Sequence, residues 1–169
     1  KRQVEAMDDL GQIVGQVLQL GFLNGGKDFR LQFGAWGPVD ACGRAGLVGI
    51  QNVCVTPAGC AGFHVNVSIK KSYHGHVRDV MFHVWGHPTL FCKHVTVVDE
   101  DIDPWNAFMV EWAIATRVQA CRDVVTLGGG KSIEVDPSQV GSRRGESDLM
   151  GIDATKPLVL KIFETAFTH

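Results

Sequence analysis

Four acids fall within five positions, Asp99, Glu100, Asp101 and Asp103, in the stretch KHVTVVDEDIDP. Such a cluster could bind magnesium or calcium, hard cations that take several oxygen ligands. A calcium loop of the helix-loop-helix type needs acids at alternating positions and a glycine at the sixth, where Pro104 stands. Helix capping is the simpler use of these acids. Asp103 followed by Pro104 predicts a helix start, because a carboxylate accepts from orphan N–H groups and proline loses nothing at the first helical position. Asp99, Glu100 and Asp101 then sit near the positive end of the helix dipole.

The stretch GGGKS at 128–132 resembles a nucleotide phosphate loop at first sight. That motif requires a glycine where Val125 stands and a helix after Lys131-Ser132. The following IEVDPS alternates like a strand instead, so the phosphate-loop reading fails on both counts. His83 and His87 are four apart on a predicted helix, as in zinc-binding helices, but the glutamate that should follow the first histidine is absent. Gly86-His87-Pro88 also ends that helix, so a surface or structural pair is expected. His76 follows Gly75 at a helix start, where a local capping role is expected. Lys70-Lys71 could hold an anion or reach a carboxylate, with solvation the default expectation. Catalytic triads of serine, histidine and aspartate are assembled in space, so spacing alone assigns none. Cys42, Cys54, Cys60, Cys92 and Cys121 are odd in number and include no Cys-x-x-Cys pair, which argues against a zinc ribbon and a disulfide framework. Cys54 and Cys92 lie in apolar strand-like runs and are expected to be small buried hydrophobes in a reducing, cytoplasmic compartment.

The elements that must position these residues are legible from Leu47 onward. VGIQNVCVTP is a strand candidate closed by Pro57, AGCAGF is a turn, and HVNVSIKK alternates Val65, Val67 and Ile69 with polar residues. GHVRDVMFHVWG puts Val77, Val80, Met81 and Val84 on one helical face. Val95, Val97 and Val98 make a short, dense strand of the buried type. The next helix carries Val110, Ala113, Ile114 and Arg117 on one stripe. A strand at 123–127, three glycines and a second short strand at Ile133–Val135 follow. Upstream, residues 4–20 show helical spacing weakened by Gly11 and Gly15, and 21–46 are glycine-rich with a short strand at 29–33. Strands alternating with helices predict a layered α/β sandwich, its sheet mostly buried and flanked by helices.

The chain has 169 residues, 45% of them hydrophobic and 20% charged, with a net charge of -2. That suits one soluble globular domain, with no general attraction to nucleic acid or anionic membranes. No apolar run approaches the ~18 residues a membrane span requires. Lys1-Arg2 opens the chain with neither an initiator Met nor a signal peptide, so a fragment of something longer is expected.

Three stretches carry a family resemblance. SIKKSYHGHVRDVMFHVWG (68–86), KHVTVVDEDIDPWNAFMVEWAIATRVQACRDVV (93–125) and LMGIDAT (149–155) resemble the carboxy-terminal domain of the UbiD-type decarboxylases, the 3-polyprenyl-4-hydroxybenzoate decarboxylase family and its relatives. PAGCAGFHVNVSIKK (57–71) is similar too, and together the likeness spans roughly 47–157. The resemblance implies a carboxy-lyase that removes carbon dioxide from an aromatic or α,β-unsaturated acid. It implies prenylated FMN, with manganese (Mn2+) and potassium (K+) near the flavin phosphate, all bound mainly by an amino-terminal flavin domain. The catalytic acid, base and metal ligands of the family lie in that other domain, so no residue here is assigned such a role. What the resemblance leaves to 47–169 is closing the pocket and making subunit contacts in a homo-oligomer. By position in the family pattern, Ile133 and Val135 line the substrate pocket, and His87 and Lys93 are the candidates for contact with the flavin phosphate. Residues 1–46 match poorly. The rival expectations are a non-catalytic assembly module docking a separate catalytic subunit and a small nucleotide-binding α/β protein.

Overall fold

The computed structural model describes residues 48–59, 62–86, 91–134, 136–139 and 145–158. The helix expected over 4–20 and the strand expected at 29–33 lie outside the described residues, as do Cys42, Cys60, His87 and Val135.

Valines at period-two spacing build the sheet. Strands β1 (Ile50–Val55), β2 (His64–Ile69) and β3 (His94–Asp99) place Val53, Val55, Val65, Val67, Val95 and Val97 in one buried cluster. Branching at Cβ suits these side chains to a pleated surface, where their restricted rotamers cost little. Strands β4 (Val124–Lys131) and β5 (Glu146–Ala154) complete a five-stranded sheet of order β1-β2-β3-β5-β4. β2, β3 and β5 run parallel, whereas β1 and β4 are antiparallel to their neighbours at the two edges.

Helix α1 (His76–Gly86) lies between β2 and β3 in sequence and covers the Val53–Val97 face. Its predicted stripe of Val77, Val80, Met81 and Val84 is buried, joined by His76 and Trp85. Gly151 on β5 permits the close approach: a Cβ there would meet Met81 Sδ at 2.5 Å and Trp85 Cη2 at 3.1 Å. Helix α2 (Ala107–Arg117) packs on the other face, where Val98, Ile102, Val110, Ala113 and Ala154 form a second cluster. A short helix α3 (Ala120–Asp123) leads into β4. The layered α/β sandwich is therefore the architecture the pattern predicts.

Two local expectations are corrected. Helix α2 begins three residues later than the Asp103-Pro104 signal predicts, with Asn106 as its cap, accepting the Met109 amide at 3.2 Å. Asp103 spends its carboxylate on the Trp105 amide, and its carbonyl accepts from Asn106 N at 3.0 Å, so Pro104 occupies the second position of a β-turn. Aspartate first and proline second is also the preferred chemistry of that turn. The second correction concerns the glycines. β4 continues through Gly128–Gly130 to Lys131 across a bulge at Leu127/Gly130, with Gly129 at φ 72°. Beyond Lys131 the chain turns rather than forming a strand, closed by Asp136 N on the Ile133 carbonyl at 3.1 Å.

Gly151→Val is expected to destabilise the fold by about 1–3 kcal/mol through overpacking against Met81 and Trp85. The check is a lower urea midpoint with an unchanged denaturant slope.

Candidate functional site

The amino-terminal ends of β3 and β5 hold a cluster built around one carboxylate. Lys93, just before β3, is fixed by its backbone: its amide donates to the Phe63 carbonyl at 3.0 Å, and its own carbonyl accepts from Met150 N at 2.8 Å. Its Nζ then reaches Asp136, on the segment after β4, at 2.9 Å, and donates to Ser138 Oγ at 2.6 Å. Asp136 also accepts from Ser138 N at 3.0 Å, Ser138 Oγ at 2.8 Å and Ser147 Oγ at 2.6 Å. Its side chain is only 2% exposed. Gln139 extends the network, donating to the Ile133 carbonyl at 2.8 Å and accepting from Gly145 N at 3.0 Å.

Burial pushes the Asp136 carboxyl up, but hydrogen bonds from Ser147, Lys93 and Ser138 outweigh it and hold the group down at about 2. His94 lies beside Lys93, its ring edge-on to His64 at 6.1 Å, and His64 Nε2 is 3.0 Å from Thr96 Oγ1. Burial first, then the neighbouring Lys93, lowers His94 below its ordinary value, against an opposing pull from Asp136. Burial and then His94 lower His64. Both shifts favour the neutral imidazole. A cavity of about 380 Å³ opens here, lined by Lys93, His94, Ser138, Gln139, Glu146 and Ser147 among others.

A general base working near neutral pH needs a pKa near neutral pH. Asp136 is far below that, and Cys92 is pushed up to about 12, chiefly by burial. The Asp136 carboxylate instead ties the residues after β4 to Lys93 and to Ser147 on β5.

The opposite end, where the parallel strands finish, is filled by ion pairs. Arg117 Nη1 is 3.2 Å from Asp99, and its Nη2 is 3.0 Å from Asp101. Lys156 donates its amide to Asp99 at 2.5 Å and brings its ammonium 3.4 Å from Asp101. Burial pushes Asp101 up, but Arg117 and Lys156 outweigh it and hold the carboxyl below its ordinary value. Lys71 donates to Thr155 Oγ1 at 2.9 Å and lies 3.5 Å from Asp153 with its side chain 9% exposed, so the solvated lysine expected there is corrected to a buried tie. Asp99 and Asp101 of DEDIDP thus bind cations of their own chain. Among the described residues no group of three or more histidine, cysteine, aspartate or glutamate side chains could hold a metal ion.

Of the residues assigned by resemblance, the structure brings Lys93 and Ile133 together through Asp136 and Gln139, and it does not describe His87 or Val135. Lys93, a candidate for flavin-phosphate contact by resemblance, has its charge matched by a buried carboxylate of the same chain. The described residues therefore form no cradle that fits a flavin phosphate. Asp136, Ser138, Gln139 and Ser147 escaped the sequence reading. The one signal was the Asp-Pro-Ser run at 136–138, whose aspartate favours a turn in which its side chain binds the amide two residues on. His76 is fully buried and accepts the Ser72 amide through Nδ1 at 3.2 Å, just before α1. Cys54 and Cys92 are buried and in no disulfide, as expected of small hydrophobes.

Comparison with known proteins places this arrangement. The family model for the 3-octaprenyl-4-hydroxybenzoate carboxy-lyase C-terminal domain matches residues 38–154, and the chain belongs to that family. The anhydromevalonate phosphate decarboxylase of Methanothermobacter thermautotrophicus is 41% identical over 110 residues, covering 64% of this chain and 25% of that protein. The structure of the UbiD-class enzyme HmfF from Pelotomaculum thermopropionicum in complex with FMN superposes with a TM-score of 0.65 at 39% identity, over 72% of this chain and 26% of that one. Apo 3,4-dihydroxybenzoic acid decarboxylase of Klebsiella pneumoniae gives 0.68 at 26% identity, over 74% and 27%. The chain spans about a quarter of the length of the curated relatives it matches.

Because the folded-state value of Asp136 lies below its ordinary 3.8, the stability it contributes is full above about pH 4 and is lost as pH falls towards 2. About 2 kcal/mol should disappear over that window. Urea midpoints between pH 5 and 2.5 should show this loss in the parent and a flatter profile in Asp136→Asn. Arg117→Met, which leaves Asp99 buried without its guanidinium, is expected to cost about 3–5 kcal/mol in the same assay at pH 7.

Proposed function

We propose that this chain is the pocket-closing and oligomerisation part of a non-oxidative decarboxylase that acts on an aromatic or α,β-unsaturated carboxylic acid with prenylated FMN. One observation carries the proposal: a family match over most of the chain, combined with coverage of only a quarter of each relative. The structure of an evolved dimeric form of HmfF holds prFMN, and that supports the choice of cofactor. Such a flavin supplies an electrophilic ring that takes up the electrons left by carbon dioxide. It would be held, with Mn2+ and K+, by an amino-terminal flavin segment outside this chain.

In this scheme residues 47–169 form the closing domain, and Ile133 and Val135 wall the substrate pocket. Apolar side chains at a closing wall exclude water and so strengthen the electrostatic contacts inside. The exposed face of α2 supplies a surface for assembly: Phe108 is 77% and Trp112 45% exposed, one turn apart. Tyrosine, tryptophan and phenylalanine are enriched where subunits meet. Among the described residues no helix is long and apolar enough to cross a membrane, and the buried free thiols suit the cytoplasm. A non-catalytic assembly module remains the alternative, favoured by the same aromatic pair.

Carbon dioxide release from phenolic and acrylic acids decides between the two. The chain alone, reconstituted with cofactor, is expected to release none, whereas the complete open reading frame carrying it is expected to be active. Activity from residues 1–169 alone, or an open reading frame with no flavin segment, would overturn the proposal. Val135→Trp in the complete enzyme is expected to narrow the accepted acids to small ones, read as lost turnover of bulky substrates. Phe108→Glu with Trp112→Glu is expected to lower the oligomeric mass in light scattering.

A further inference from the structure

Irregular backbone beside a cavity usually moves, because few buried contacts oppose local opening. Here the segment after β4 is tied down at one buried carboxylate. Asp136 takes donors from Lys93 at the start of β3, from Ser147 on β5 and from Ser138 on its own segment. These ties extend backwards to Ile133, whose carbonyl accepts from both Asp136 N and Gln139 Nε2. They extend forwards to Gly145, whose amide donates to Gln139 Oε1 and whose carbonyl accepts from Ser132 N at 2.9 Å. Ser138 and Ser147 each relay the network, since one hydroxyl donates to Asp136 while accepting from Lys93 or from Gln139 (3.4 Å).

We propose that Lys93 and Asp136 form a positioning clasp that sets residues 136–139 after β4, and with them the wall at Ile133, and that Lys93 is not a ligand of the flavin phosphate. The clasp follows from the geometry, while its role in substrate fit rests on the proposed function. An ammonium whose charge is neutralised at 2.9 Å by a carboxylate 2% exposed has little left to attract a second anion. A carboxylate linking the ends of two neighbouring parallel strands fixes the loop relative to the most rigid part of the sheet. Precise walls need such support, since a misplacement of about 1 Å can cost about a hundredfold in rate.

The test has two arms. In the 169-residue chain, Lys93→Met and Asp136→Asn should each speed amide exchange at Asp136, Ser138, Gln139 and Gly145 at least tenfold, with α1 and β3 unchanged. The double variant should exchange no faster than the singles, because both remove one unit, and Lys93→Arg should retain protection. Unchanged exchange in both single variants would overturn the clasp. In the complete flavin enzyme, Asp136→Asn should raise KM for the acid severalfold with flavin content and absorbance unaltered. Flavin loss in Lys93→Met but not in Asp136→Asn would make Lys93 a cofactor ligand and reject the proposal. Faster exchange with unchanged kinetics would leave the clasp standing and remove Ile133 from the pocket wall.

Discussion

Strand β3 is buried on both faces, and the rest of the structure answers to that constraint. From Val95 to Asp99 it is closed off by α1 on one side and by α2 with the Ile102 region on the other. A strand so placed has no room for polar side chains except where a partner is supplied. Thr96 meets His64, and on the neighbouring β2 Asn66 reaches the Pro104 carbonyl and Ser68 the Asp99 carbonyl. Buried polar groups left without partners cost on the order of 1–3 kcal/mol each, so these bonds are conditions of the packing.

Charge is consequently exported to the two ends of the parallel strands, and the ends are used differently. At the carboxyl end, Asp99, Asp101, Arg117, Lys156, Lys71 and Asp153 satisfy one another. In open α/β sheets that end is the customary place for a ligand. Here cations of the chain itself occupy it, which turns a potential site into a brace between β3, α2 and the segment after β5. At the amino end, a single carboxylate organises serines, a glutamine and Lys93 beside a cavity. One end therefore resists deformation, and the other presents a shaped loop.

This division fits a domain whose work is to close over chemistry rather than to perform it. Members of the same family are decarboxylases more than twice as long as this chain, and the described cluster includes an acid held ionised and a buried thiol. Arg117 also stacks over Trp112 at 5.2 Å, so the brace at the carboxyl end is continuous with the exposed aromatic face of α2. Any surface that docks there would lean on the same ion pairs that secure β3.

Much of the fold was legible in the residues. Period-two valines in β1, β2 and β3 and the 3.6-residue stripe of α1 announced themselves because each element buries one face, and burial writes its period directly into the sequence. β5 was read only as part of a family resemblance, since Ser147, Asp148, Gly151 and Asp153 blur its alternation; the serine and Gly151 are there for Asp136, Met81 and Trp85, which only the folded chain brings near. The same holds for the start of α2, where Asp103 and Asn106 carry similar capping chemistry and the turn through Pro104 decided between them. Which acids pair with which bases was likewise invisible, because Lys93 and Asp136 are 43 positions apart and Lys71 and Asp153 are 82. The sequence by itself determined the elements, because local periodicity and turn chemistry act over a few residues. Tertiary structure alone decided the site, because electrostatic and hydrogen-bond partners are selected by distance in space, which chain order does not encode.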